Sequence, residues 1–206
     1  MNILYEDRHL ILCEKPIGVL SQKGREGEAD MLSLLEAYFA EKGERETAHV
    51  LHRLDEAVGG VMVYAKNQKS AAHFSKLIQD GLLIKEYVAM VHGTPEPEGE
   101  LEDLLFKDSR KNKVFVVKKQ RAGVKKARLS YKLMRAAERS LVRIRLYTGR
   151  SHQIRVQFSS RGFPLVGDHK YGSRDEEKAP MLYSCCITLP YKGQTRQFSH
   201  FPQWMP

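Results

Sequence analysis

Apolar positions recur along the chain with two periods, one of about two residues and one of about 3.6. Ile3-Leu4-Tyr5 and Leu10-Ile11-Leu12-Cys13 predict short strands around the polar turn Glu6-Asp7-Arg8. Asp30 is placed to cap a helix, with Met31, Leu34, Leu35, Tyr38 and Phe39 at helical spacing and Gly43 at its stop. Val61-Met62-Val63-Tyr64-Ala65 predicts a buried strand, and Gly59-Gly60 is expected to turn the backbone tightly into it. Asn67 can cap a second helix, whose inward face is Ala71, Phe74, Leu77 and Ile78 and whose end is Gly81. Residues 84–92 predict a strand with Lys85, Tyr87, Ala89 and Val91 on one face.

Residues 93–99 read as a turn-rich connector, and the next strand-like run is Val114-Phe115-Val116-Val117. Two long antiparallel strands follow. Ala127, Leu129, Tyr131 and Leu133 mark the first; Val142, Ile144 and Leu146, alternating with Arg143 and Arg145, mark the second. They join near residues 136–139. Gly149-Arg150-Ser151 opens a helix over 152–158, with Ser151 as its expected N-cap and Gly162 beyond its end. A last long strand spans 181–189 and turns at 190–193 into Thr195-Arg196-Gln197-Phe198. Strands outnumber helices and seldom alternate with them, so the expected class is α+β with a mixed or antiparallel sheet. The length suits one large domain or two small ones, and a single domain over 1–206 is expected.

Composition narrows the functional classes. No apolar run approaches the ~20 residues that a membrane-spanning helix needs, and residues 1–7 lack a basic-then-apolar signal pattern. The three cysteines, two of them adjacent, suit a reduced cytoplasmic compartment. Neither a Cys-x-x-Cys nor a His-x-x-x-His pair is present, so a structural zinc is not expected. The net charge of +9 has a location. Residues 107–128 hold ten basic side chains (Lys107, Arg110, Lys111, Lys113, Lys118, Lys119, Arg121, Lys125, Lys126 and Arg128) against Asp108 alone, and the remainder balances at 24 against 24. Concentrated charge of this kind marks a polyanion footprint, set against the plainer reading of a solvated basic loop.

Candidate chemistry centres on His52-Arg53-Leu54-Asp55, just ahead of the buried strand. Loop residues on rigid elements are where catalytic groups concentrate, although a surface Asp–Arg pair would look the same. An ionised carboxylate can act as a nucleophile, and Arg53, Arg150 or Arg155 could keep it ionised. A Ser151/His152/Asp168 triad fits poorly, because sequence neighbours on a helix do not face each other and no Gly-x-Ser-x-Gly elbow is present. A metal nuclease of His52, Asp55, Asp168 and His169 has few acids for a two-metal site. Tyr87 either stacks on a base or is a core tyrosine with a satisfied hydroxyl.

Read together, these segments resemble the RluA-type pseudouridine synthases. His52-Arg53-Leu54-Asp55 with Gly60 and Ala65-Lys66 is similar to the family's first signature, and Gly149-Arg150-Ser151-His152-Gln153-Ile154-Arg155 to its second. Residues 85–93 fit its tyrosine strand; Glu14-Lys15-Pro16-Ile17-Gly18, Gly167-Asp168 and Tyr171-Gly172 fit as well, all in the family's order. The resemblance implies a mixed, mostly antiparallel sheet with flanking helices and a central RNA-binding cleft. It implies isomerisation of uridine in ribosomal or transfer RNA without metal or cofactor. Asp55 would be the catalytic aspartate, Arg155 its partner, and Tyr87 would stack on the target uracil. Arg53 would contact RNA, and His52, Arg150 and the basic residues from Lys107 to Lys126 are counted with it as RNA-binding candidates. A monomer is expected, with no obligate protein partner and without the S4-like domain that many members carry in front. Two departures stand out: Val58-Gly59-Gly60 where Thr-Ser-Gly is usual, and Gln157 where a histidine is usual. The alternative is a catalytically silent RNA-binding or assembly protein on the same fold.

Overall fold

The computed structural model describes residues 1–205. In chain order its elements are β1 (Ile3–Glu6), β2 (Leu10–Lys15), α1 (Met31–Glu41), β3 (His49–Val50), β4 (Gly59–Ala65), α2 (Gln68–Gln79) and β5 (Ile84–His92). There follow β6 (Glu98–Asp108), β7 (Lys113–Val117), β8 (Val124–Arg135), β9 (Arg139–Leu146), α3 (Gln153–Ser159), a 3-10 turn (His169–Tyr171), β10 (Leu182–Tyr191) and β11 (Gln194–Ser199). Antiparallel pairs dominate and β4 runs parallel to β10, so the fold is α+β with a mixed, mostly antiparallel sheet, as expected. The chain divides into two compact units, residues 1–85 with 183–205, and residues 86–182.

In the first unit the strand order is β1-β2-β4-β10, with β3 on β4 and β11 on β10. Every residue of β4 is buried, which is why its sequence is apolar without alternation. Leu10, Leu12, Val61, Val63, Ile187 and Leu189 form the core against Phe74, Leu77 and Ile78 of α2. The helix starts follow the expected caps. Asp30 accepts from the N–H groups of Leu32 and Ser33, and Asn67 accepts from that of Ser70. Lys66, at the end of β4, is buried and ion-paired to Glu6, Glu44 and Glu46.

In the second unit the order is β5-β9-β8-β6-β7. β6 is the strand that the sequence hid. It pairs with β8 over Glu98–Phe106 and with β7 over Leu104–Asp108. Its inward alternation, Leu101 then Leu105, is interrupted by Asp103, a carboxylate that accepts from Gln157 and Arg161. One face of this sheet carries Leu105, Val114 and Ala127 into a core with Val156 and Tyr171. The helix after β9 begins at Gln153 and not over Ser151. His152 stands at the N-cap with φ +50° and gives no side-chain cap. The Gln153 side chain ties the preceding turn down, accepting from Arg150 N and Thr148 Oγ1 and donating to the carbonyl of Arg128.

Candidate active site

Asp55 opens a tight turn, with Val58 N donating to its carbonyl at 3.0 Å, and the turn is held from several sides. Ser21 Oγ donates to the carbonyl of Leu54 and accepts from its N–H, both at 2.9 Å. Lys15 is wholly buried, and its Nζ donates to the carbonyls of Pro16, Val19 and Glu56 at 2.9, 2.6 and 3.1 Å. Three acceptors match the three N–H bonds of an ammonium. Burial pulls Lys15 down to about 8, opposed by the charges of Glu56 and Asp55.

The glycines that follow lie inside β4 and do not make the turn, which corrects the expectation. They allow a close approach of strands. At Gly60, with φ +126°, a Cβ would stand 2.3 Å from Ser184 O and 2.6 Å from Ser184 N on β10. Ser184 Oγ in turn donates to the carbonyl of Val61 at 3.0 Å. The first-signature glycine therefore seats the strand that follows the acid.

His52 is buried, and its Nε2 accepts from Val63 N at 3.2 Å. Burial and then the charge of Lys85 hold its imidazole down at about 3, so it is neutral and its Nδ1 bears the proton. The expected RNA contact does not fit this placement; His52 is an internal strut of the turn. Arg53 is exposed beside it, and Asp55 is half-buried.

In the second unit Arg155 projects from α3 and is itself buried. Its Nε donates to Asp168 Oδ2 at 2.6 Å and its Nη2 to Asp168 Oδ1 at 2.8 Å, a bidentate pair whose acid is fully buried. The guanidinium also lies 5.2 Å from the ring centroid of Tyr171. The Tyr171 hydroxyl accepts from Val114 N at 2.8 Å and lies 2.8 Å from His152 Nδ1. His152 reaches it from the left-handed region, a backbone state costing a non-glycine residue about 1 kcal/mol. Asp168, weighed from sequence as a triad or metal acid, is thus the seat of an arginine. Among the described residues no group of three or more His, Cys, Asp or Glu is placed to hold a metal.

Tyr87 lies on β5 at 5% exposure, inside a stretch buried from Tyr87 to Val91. Gln157, the departure from the second signature, donates to Leu101 O and Asp103 Oδ2 and so ties α3 to β6. Arg150 is exposed, with its Nε on the carbonyl of Lys126 at 2.9 Å. Lys107, Arg110, Lys111, Lys118, Lys119, Arg121, Lys125 and Lys126 are exposed and Lys113 is half-buried. The residues that sequence reasoning missed are Ser21, Gln153 and the partners of Lys15. Their task is to hold main-chain groups distant in sequence, and no residue pattern announces that.

Residues 9–160 match the family described as RNA pseudouridylate synthase. Ribosomal large subunit pseudouridine synthase D of Borreliella burgdorferi is 33% identical over 98% of this chain and 65% of its own length. Dual-specificity RNA pseudouridine synthase RluA of Vibrio vulnificus is 33% identical over 84% of this chain and 70% of its own. The chain spans about half to two thirds of the length of the first curated relatives it matches. The solved structure of human RNA Pseudouridylate Synthase Domain Containing 1 shares the fold, with a TM-score of 0.80, 20% identity, and coverage of 100% of this chain and 84% of that one. Similarity of this extent, in sequence and in fold, makes the chain a member of the RNA pseudouridylate synthase family.

Proposed function

We propose that the protein isomerises uridine to pseudouridine in ribosomal or transfer RNA, with Asp55 as the catalytic aspartate. Tyr87 is the stacking partner of the target uracil, Arg155 a positioning residue, and Arg53 an RNA contact. One observation carries the reading. A carboxylate is kept on a turn that Ser21, Lys15 and the close approach of Gly60 to Ser184 all hold in place. An RNA-binding surface gains nothing from a negative charge, whereas catalysis needs a group fixed to within a fraction of an ångström. The target nucleotide leaves its stack at a cost of a few kcal/mol. The bond from ribose C1′ to N1 breaks, the base turns, a bond from C1′ to C5 forms, and the C5 hydrogen leaves as a proton. No atom is gained beyond the proton that N1 takes up, so the step is an isomerisation. The basic side chains of residues 107–128 hold the backbone without regard to sequence. The setting is cytoplasmic and the protein acts as a monomer. No described helix is long and apolar enough to cross a membrane.

The test is release of tritium from RNA labelled at uracil C5 and isolated from cells that lack this protein. Wild type should release it and Asp55→Ala should not. Release by neither protein, with RNA binding intact, would replace the enzyme by a silent RNA-binding protein.

A further inference from the structure

The sheet of the second unit has two faces, and the core described above uses one of them. Strand register fixes what stands on the other. Phe106 lies directly opposite Phe115 on β7 and Val124 on β8, Leu104 lies opposite Val117 and Lys126, and Asp108 opposite Lys113. Residues directly opposite share a face. The outer face of β7-β6-β8 therefore carries two phenylalanines side by side, with Leu104 and Val117 next along. Phe115 is 37% exposed.

A cation lies near each ring of the pair. Arg121 lies 4.7 Å from the ring centroid of Phe106, and Lys113 Nζ lies 5.9 Å from that of Phe115. The nearby acids are committed. Asp108 Oδ1 accepts from the N–H groups of Arg110 and Lys111, and Glu100 and Glu102 pair with Arg128. The ion pairs of this region, Arg128 with Glu100 and Glu102 and Arg161 with Asp103, leave out Lys113, Lys118, Lys119, Arg121 and Lys126. An open antiparallel sheet with an exposed Phe115, a half-buried Phe106 beside it and surplus cations has the chemistry of a platform for single-stranded nucleic acid. Bases stack on the rings while the cations take the phosphates. A solvated basic loop has no use for an exposed phenylalanine packed beside a second one on the neighbouring strand.

We infer that the outer face of β6 and β7 is a stacking platform for unpaired RNA, with Phe115 and Phe106 receiving bases of the segment outside the target nucleotide. This rests on the reading of RNA as the substrate. It adds a base-stacking component to a region that charge alone would make a purely electrostatic holder.

The experiment measures binding of a short fluorescein-labelled oligouridylate and of an RNA duplex by anisotropy, across a salt series. The proteins are wild type, Phe115→Ala, Phe115→Tyr, Phe106→Ala and a Lys118→Ser/Lys119→Ser double variant. The alanine variants should weaken oligouridylate binding about five- to a hundredfold, the range for losing one stacked base, with the salt slope unchanged. Phe115→Tyr should restore affinity, and duplex binding should barely move. The lysine variant should lower affinity and flatten the salt slope. If the lysine variant weakens binding and the alanine variants do not, the platform is wrong while RNA remains the substrate. If wild type binds no RNA, the functional reading itself fails. If Phe115→Ala instead turns a dimer into a monomer in sedimentation, the face is a contact between copies and the platform is overturned.

Discussion

One added carbon separates the two glycines of β4. At Gly60 it would meet the Ser184 backbone at 2.3 Å, where nothing flexible can give way, and φ is +126°. At Gly59 it would meet Ile17 Cγ1 and Lys15 O at 3.2 Å, a contact that a few tenths of an ångström relieves. Gly60→Ala should therefore cost about 3 kcal/mol or more in urea unfolding, and Gly59→Ala about 1 kcal/mol or less. The family's usual serine at position 59 is thus a small steric step from this chain. At this scale the motif residues were legible and their partners were not. Asp55 and Arg155 stand out as charged residues in glycine-flanked signatures. The Asp168 that seats Arg155 lies 13 residues further on, in a turn-rich stretch, and sequence gives no distance across such a turn.

The elements that were legible are those whose ends are chemically marked. Asp30 sits where the fold needs an acceptor for Leu32 N and Ser33 N, and its carboxylate also accepts from Ser33 Oγ at 2.8 Å. Asp30→Ala should remove about 1–2 kcal/mol, read as a lowered urea midpoint with an unchanged slope. β6 was illegible for the opposite reason. Its start is acidic, and Asp103 occupies an inward position, so the period of two is broken where it would be read. That carboxylate is tolerated because Gln157 and Arg161 come to it from the α3 region, a contact that sequence pattern cannot supply. Ser151 misled for a related reason. A serine before a helix is a sound N-cap signal, but the left-handed turn at His152 starts the helix one residue later, which leaves Ser151 outside the N-cap position.

For the whole molecule, the charge balance was legible from sequence and its arrangement was not. The excess in residues 107–128 is plain; that it surrounds two outward phenylalanines follows only from the register of β6. The acids outside that stretch carry the stability in acid. Burial raises Glu6, but hydrogen bonds from Lys66, Tyr38 and Lys42 outweigh it and hold the carboxyl at about 2 against an ordinary 4.5. Asp7 and Asp175 are also held well below the usual range, burial being outweighed by hydrogen bonds. A depressed carboxyl contributes stability that is present above its unfolded value and lost as pH falls through its folded one. The urea midpoint should fall as pH drops from about 4.5 toward 2. Glu6→Gln should be less stable at neutral pH and show a shallower fall.

The buried ammonium of Lys15 has a consequence for chemical reactivity. With no exposed surface and its N–H bonds on the carbonyls of Pro16 and Val19 and, in the Asp55 turn, of Glu56, it is hidden from acylating reagents while the turn is closed. The exposed lysines of residues 107–128 should label within the mixing time. Lys15 should label slowly, at a rate set by how often the Asp55 turn opens. Mass spectrometry of that one side chain is thus a built-in clock for the opening of the turn, and bound RNA should slow it.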